Sequence, residues 1–120
     1  MDRDEQSELV DTNSFGFAAE VLESTQPVLL DVSSPWCRPC LAAEPALRDI
    51  ATRYSNRLKV VRLDGSNSPD VAAKYSIRGF PTFLGFHRGE LLVRRAGFGG
   101  AASLEALANS LLELASGIDS

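Results

Sequence analysis

The chain has 120 residues, of which 44% are hydrophobic and 23% charged, a composition typical of a globular protein rather than a disordered or fibrous one. Sixteen acidic residues against twelve basic ones give a net charge of −4, and without a run of Lys or Arg this balance argues against nucleic-acid binding. The length predicts a single domain over residues 1–120, and no apolar stretch approaches the roughly 20 residues that a membrane span requires.

The polar segment Met1–Ser7 lacks the apolar core of a signal peptide, which favours a cytoplasmic location unless a targeting segment has been removed. The first structured elements are predicted directly after it. Glu8–Asp11 is a weak strand candidate, and Thr12 or Asn13 is a candidate helix cap. The helix should end near Ser24, and its apolar face is predicted to contain Phe15, Ala18, Ala19 and Leu22.

Val28–Val32 is a short apolar run between Pro27 and a turn, which is typical of a central strand buried on both faces. A long helix is predicted from Cys37 to Tyr54, with Pro45 inside it and a kink near Leu41. Helical spacing is shown by Leu47, Ile50, Ala51 and Tyr54.

The second half of the chain continues the alternation. Leu58–Leu63 is predicted to be a strand. Ser68 then caps a short helix that has Pro69 at its first position and ends at Tyr75. With the preceding elements, this order of strands and helices indicates an α/β protein.

Two further strands, Thr82–His87 and Leu91–Ala96, flank the turn Arg88-Gly89-Glu90 and predict an antiparallel hairpin. Ser103 is a candidate cap for the final helix. The stripe that covers one face of the sheet is predicted to contain Leu104, Leu107, Ala108, Leu111, Leu112 and Ala115.

Cys37 and Cys40 are the only cysteines, and a bridge between them would close too small a loop to stabilise the fold appreciably. Residues three apart on a helix lie close enough for a disulfide. The predicted position in the first helical turn favours a thiolate at Cys37, which makes it the nucleophile, while Cys40 would resolve the mixed disulfide. Zinc sites share this spacing but normally need four ligands, and the chain offers two cysteines and one histidine, so no metal is expected.

The sequence around this pair resembles the thioredoxin family, and the likeness covers nearly the whole chain. It rests on Trp36-Cys37-Arg38-Pro39-Cys40, Pro27–Val32, Pro45, Ile77–Thr82, Phe86–Glu90 and Gly97. The resemblance implies a thioredoxin fold, with a central mixed β-sheet of about five strands and about four flanking helices. It also implies a monomeric protein-disulfide reductase that acts on disulfide-containing proteins, is recharged by a thioredoxin reductase and needs no cofactor beyond its own cysteines.

In this family a buried carboxylate at the position of Asp31 assists proton transfer to and from the resolving thiol. Asp31 could alternatively lie on an exposed strand face. Asp31 has five neighbours in the run Pro27–Val32, and four of them are apolar. This pattern favours burial, and burial would raise the pKa of Asp31.

The resemblance also implies a substrate groove. Pro81 corresponds to a cis-proline facing the disulfide, and Gly79, Phe80 and Gly97 would line the groove, although ordinary turn chemistry would also explain the glycines. Trp36 is either an apolar shelf for substrate or partly buried packing. Pro39 stiffens the cysteine pair, although any helix-start proline would fit there. By contrast, His87 is expected to be an exposed hairpin residue without a catalytic role.

Three residues depart from the family pattern: Arg38 replaces a glycine, Ser33 an aromatic residue and Arg62 a lysine. A guanidinium beside Cys37 should stabilise the thiolate and make the couple more oxidising, unless Arg38 is solvated and points away.

Two other functions remain open at this point. Arg38 is compatible with a more oxidising disulfide oxidase or isomerase. A redox-independent interaction or chaperone module would use the groove around Trp36, Phe80 and Gly97. The presence of Cys37 and Cys40, together with Asp31 and Pro81, argues against that module.

Overall fold

The computed structural model describes residues 8–120, in which five strands form one mixed sheet. The strands are β1 (Leu9–Thr12), β2 (Val28–Ser33), β3 (Lys59–Asp64), β4 (Thr82–His87) and β5 (Glu90–Ala96). Their order across the sheet is β1-β3-β2-β4-β5. The first three are parallel to one another, whereas β4 runs antiparallel to β2 and to β5.

Four helical segments flank the sheet, and a short 3-10 segment, Gly65–Asn67, follows β3. The four flanking segments are α1 (Ala18–Leu22, π-helical), α2 (Arg38–Arg53), α3 (Pro69–Lys74) and α4 (Ala101–Asp119). Side chains of α2 and α4 pack with Leu29 and Phe83 on one face of the sheet, while α1 and α3 pack with Leu30 and Leu84 on the other. This is the α/β architecture that the thioredoxin resemblance implies. Over residues 8–120, every helix is too short or too polar to cross a bilayer.

Strand β2 is the structural centre of the protein. All six of its residues are buried, because helices cover both faces and β3 and β4 pair with its two edges. The central strand predicted from the apolar run is therefore confirmed. Its carboxyl end leads through the turn at Pro35 and Trp36 directly into α2, which places Cys37 at the edge of the sheet.

The segment after β1 corrects the predicted first helix. Phe15, assigned to the apolar face, is 98% exposed, whereas Phe17 and Val21 are buried. Asn13 does not cap the helix: its side chain accepts a hydrogen bond from the amide of Gly16 in a tight turn, so α1 starts only after that turn. The buried face is set by aromatic packing of Phe17 on Tyr75 and Phe86.

Ser68 is the N-cap residue of α3 with Pro69 at the first helical position, as predicted, although its side chain makes no capping hydrogen bond. The cap predicted for the final helix is wrong. Ser103 lies inside α4, which begins after Gly100, and its Oγ accepts a hydrogen bond from Arg95. The predicted α4 stripe is otherwise correct, except that Leu112 is only partly buried.

His87 is not the exposed hairpin residue that we expected. It is 1% exposed, and its Nε2 lies 3.0 Å from the carboxylate of Asp119 at the end of α4. Because side chains alternate along a strand, the last residue of β4 points to the face that α4 covers. The exposed tip of the hairpin is Arg88-Gly89, where both residues have positive φ, as a tight two-residue turn requires.

Candidate active site

The cysteine pair occupies the start of α2. Cys37 is the N-cap residue and has an extended backbone, with φ −83° and ψ 119°. Cys40 lies one turn into the helix, its Cα 5.2 Å from that of Cys37, and the two form a disulfide. The amide of Cys40 donates to the Cys37 sulfur over 3.2 Å. A sulfur at this position can accept hydrogen bonds from the free backbone amides at the helix start. This arrangement favours a thiolate once the disulfide is reduced.

The two sulfurs differ in accessibility. Cys37 is half-buried at the surface, whereas Cys40 is 7% exposed. Pro39 sits in the first helical turn, where its missing N–H breaks no helical hydrogen bond. The arrangement leaves Cys37 accessible at the surface and shields Cys40 behind it.

A second loop faces the disulfide. The peptide bond between Phe80 and Pro81 is cis, as the resemblance implies, and the carbonyl oxygen of Phe80 lies 3.4 Å from the Cys37 sulfur. The amide of Gly97 donates to the Pro81 carbonyl over 2.8 Å, with Gly97 at φ +83°. Gly79 is exposed, and its carbonyl accepts from Thr82. The structure thus places Phe80 against Cys37, and Gly97 is bonded to the next residue of the same loop, Pro81.

Three further residues named from the sequence surround the cysteines on the solvent side. Trp36 is 74% exposed and is therefore not packing in the core. Arg38 and Pro39 are also exposed. Together with the half-buried Phe80, these residues form an open rim around the disulfide that contains both apolar and cationic groups.

Asp31 lies in the middle of β2 and is 1% exposed, so the alternative of an exposed strand face is wrong. Its Oδ1 has no hydrogen-bond partner among residues 8–120. Burial raises the pKa of Asp31 to about 7; Arg62 opposes the increase, whereas Asp11 and Glu44 add to it. Near neutral pH this carboxyl is therefore present in both protonated and ionised forms.

Asp31 and Cys40 open onto the same cleft, which has a volume of about 390 Å³. The charged and thiol-bearing residues along it are Asp11, Asp31, Cys40, Glu44, Arg62 and Asp64. Ser33, where the family has a frequent aromatic residue, also lines this cleft and leaves it polar. The cleft shared by Asp31 and Cys40 is polar and large enough to admit water.

The sequence interpretation missed Asp11 and Glu44. Both form ion pairs with Arg62, which stands where the family has a lysine. Asp11 was predicted only as part of a weak strand and Glu44 only as a helix residue. Their relation to Arg62 depends on the pairing of β1 with β3 and on how α2 lies across the sheet, neither of which is visible in the sequence. Within the described part of the chain, no cluster of three His, Cys, Asp or Glu side chains suits a metal ion.

Comparison with known proteins agrees with this geometry. A family model described as Thioredoxin matches residues 7–113. The chain is 37% identical over 89 residues to Thioredoxin C-2 of Corynebacterium nephridii, covering 74% of this chain and 82% of that protein. It is 38% identical over 96 residues to Thioredoxin of Acidithiobacillus ferridurans, covering 80% and 89%. It is 36% identical over 104 residues to Thioredoxin M-type, chloroplastic, of Spinacia oleracea, covering 87% and 56%.

Proposed function

Because the chain belongs to the thioredoxin family, and is thereby a thiol–disulfide oxidoreductase of the protein-disulfide reductase type, we propose that Cys37 is its attacking thiol and Cys40 its resolving thiol. The observation that carries this assignment is the difference in exposure between the two sulfurs at the start of α2. Only the sulfur at the surface is open to the disulfide of another protein, and only that sulfur lies at the helix N-cap.

The reaction proceeds in two exchanges. The Cys37 thiolate attacks one sulfur of the substrate disulfide; the substrate S–S bond breaks, and its other sulfur leaves as a thiolate that takes up a proton. Cys40 then loses its proton and attacks the Cys37 sulfur of the mixed disulfide. The Cys37–Cys40 bond forms, the second substrate thiol is released, and two electrons have passed from the dithiol to the substrate.

Asp31 is the proposed acceptor of the Cys40 proton. Its carboxylate shares the cleft with Cys40, so a water in that cleft can carry the proton over a short path. A pKa of about 7 suits a group that must both accept and return a proton near neutral pH.

The substrate-binding residues of the proposal are those around the disulfide. Trp36, Arg38, Pro39 and Phe80 form the rim, and the loop that faces the disulfide adds the buried Pro81 and the half-buried Gly97. The exposed indole of Trp36 supplies apolar area next to Cys37, while the loop supplies backbone groups that can pair with an extended substrate segment.

The remaining parts of the proposal concern the surroundings of the enzyme. We place it in the cytoplasm as a single-domain monomer that a thioredoxin reductase recharges, with no cofactor beyond the Cys37–Cys40 pair. The thioredoxin family match supports the reductase and the lack of a further cofactor. The relative from Spinacia oleracea is itself described as chloroplastic, so cell fractionation is the measurement that decides the location.

Brief treatment of the reduced protein with iodoacetamide near neutral pH tests the assignment of the thiols. Cys37 is expected to be alkylated at least about tenfold faster than Cys40, because it is accessible and its thiolate is stabilised by the helix start. Mass spectrometry of the peptides gives both rates, and the unfolded protein, where the two should react alike, is the control. Preferential labelling of Cys40 would reverse the two roles.

The exposed cationic side chain of Arg38, directly beside Cys37, favours a more oxidising enzyme. Arg38→Gly is expected to make the couple more reducing by about 5–20 mV at low ionic strength, because a screened exposed cation contributes about 0.2–1 kcal/mol to the thiolate. Redox equilibration of both proteins measures the shift. Arg57→Gly is the control: it removes the same charge beyond the other end of α2 and should leave the potential unchanged. An unchanged potential in Arg38→Gly would show that Arg38 does not act on the thiolate.

A further inference from the structure

Three charged side chains lie in one row across the sheet beneath α2. Asp11 on β1 is the register partner of Arg62 on β3, and Arg62 is the register partner of Asp31 on β2. Residues paired in this way point to the same face of a sheet, with side chains close enough to interact. Arg62 is therefore flanked by two carboxyl groups, one buried and one at the edge of the sheet.

Arg62 directs its hydrogen bonds away from the buried carboxyl. Its Nε lies 2.8 Å from Oδ1 of Asp11 and its Nη2 3.3 Å from Oδ2, a two-point contact. Its Nη1 lies 3.5 Å from Oε1 of Glu44 on α2. Among the described residues, Oδ1 of Asp31 has no partner at all, although Arg62 is its neighbour in the row.

The geometry points to Asp11 and Glu44 as positioning residues that hold the Arg62 guanidinium and withhold its charge from Asp31, which adds to the effect of burial in favouring the protonated carboxyl. The inference deepens the proposed function, because it rests on the proton role of Asp31. Two carboxylates around one guanidinium leave a net negative group beside Asp31, and a second negative charge at Asp31 is then unfavourable. Without either carboxylate, Arg62 is free to turn toward the unpartnered Asp31 oxygen and stabilise its ionised form.

The other surroundings of Asp31 do not supply a competing charge of this kind. Its neighbour on β4 is Phe83, which is apolar and buried. Asp64 also lines the cleft, but it bonds to the amide and hydroxyl of Ser66 and is not among the charged groups that shift the pKa of Asp31. Desolvation is the largest cause of the raised pKa of Asp31. Among the nearby charges, Arg62 lowers this pKa, whereas Asp11 and Glu44 raise it, as the geometry requires.

The test is an NMR titration of the Asp31 carboxyl carbon in the oxidised protein, where neither cysteine titrates. Asp11→Asn and Glu44→Gln should each lower the titration midpoint of Asp31. The proton affinity of Asp31 should fall about two- to fivefold, because a partly screened charge interaction has this size. Arg62→Gln should raise the midpoint. Asp31→Asn identifies the signal, and Asp49→Asn, which removes an equal charge from an exposed ion pair with Arg53, is the matched control and should leave the midpoint in place.

Midpoints that stay unchanged or rise in both Asp11→Asn and Glu44→Gln would overturn the inference. Asp11 is exposed at the sheet edge, so its variant should fold normally, and its far-UV spectrum verifies this. The pH profile of insulin reduction separates the two claims. If the midpoint falls and the profile moves with it, both hold. If the midpoint falls and the profile does not move, Asp11 and Glu44 position the charge as inferred, but Asp31 is not the proton acceptor of the reaction.

Discussion

Cys40→Ser is expected to abolish catalytic reduction of insulin disulfides, by a factor on the order of 10³ or more, while accumulating covalent complexes with substrate proteins. The variant keeps the exposed Cys37 and its helix-start environment, so the first exchange still occurs. The resolving attack is lost, because serine is not a nucleophile toward sulfur under these conditions, and the mixed disulfide therefore persists. Non-reducing electrophoresis of complexes formed in a reducing cytoplasm measures the trapping directly.

Cys37→Ser is the matched control for this experiment. It removes the accessible sulfur and leaves only Cys40, which is 7% exposed, so it should lose activity without trapping complexes. Equal yields of complexes from both variants would contradict the division of labour between the two thiols. Turnover that survives in both variants would contradict a mechanism through this pair altogether.

Asp31→Asn is expected to slow insulin reduction at pH 7 by about 10²-fold, at the low end of what a positioned acid or base contributes. The amide keeps the shape of the carboxyl but cannot exchange a proton with Cys40. The loss should be greatest in the resolving step, so mixed disulfides should decay more slowly while the first exchange keeps its rate. Single-turnover measurements with a labelled peptide disulfide separate the two steps.

The same substitution is expected to stabilise the oxidised protein at neutral and alkaline pH. The pKa of Asp31 is about 7 in the fold against an ordinary value of 3.8, so between these pH values the folded chain binds more protons than the unfolded chain. The free energy of unfolding of the parent protein therefore falls as pH rises from about 4 to about 7 and levels off above. The full difference corresponds to an effect on the order of 4 kcal/mol, which Asp31→Asn removes.

Denaturant unfolding of both proteins at pH 4 and pH 8 measures this effect. The stability of Asp31→Asn relative to the parent should increase from pH 4 to pH 8. Because the cost of burying the amide is the same at both pH values, comparing them cancels that cost. Asp49→Asn, a change in an exposed ion pair, should show no comparable increase. A relative stability independent of pH would show that Asp31 ionises as readily in the fold as in the unfolded chain.

The parts of the fold that the sequence predicted well are those with a local physical signal. The short apolar run from Val28 to Val32 indicated a strand covered on both faces, and the spacing of Leu47, Ile50 and Ala51 indicated a helix. The hairpin turn followed from Gly89. The cis peptide before Pro81 had no such signal and was expected from the family resemblance alone.

The errors arose where tertiary packing decided the outcome. Residues 15 to 22 contain two possible apolar faces, and aromatic partners from β4 and the end of α3 selected the one with Phe17. His87 was judged by its place beside a turn, but strand alternation and the length of α4 determine its burial. Asp11 and Glu44 reach Arg62 only through strand register and helix docking, which no short-range pattern encodes.

Redox equilibration of the Cys37–Cys40 couple against glutathione tests the central claim most directly, because the reduction potential determines whether the dithiol donates electrons to protein disulfides. For a reductase of the thioredoxin family we predict a potential near the family's value of about −270 mV, less negative by no more than about 20 mV on account of Arg38. A potential of about −180 mV or less negative, in the range of protein disulfide isomerase and stronger oxidants, would contradict the assignment as a reductase.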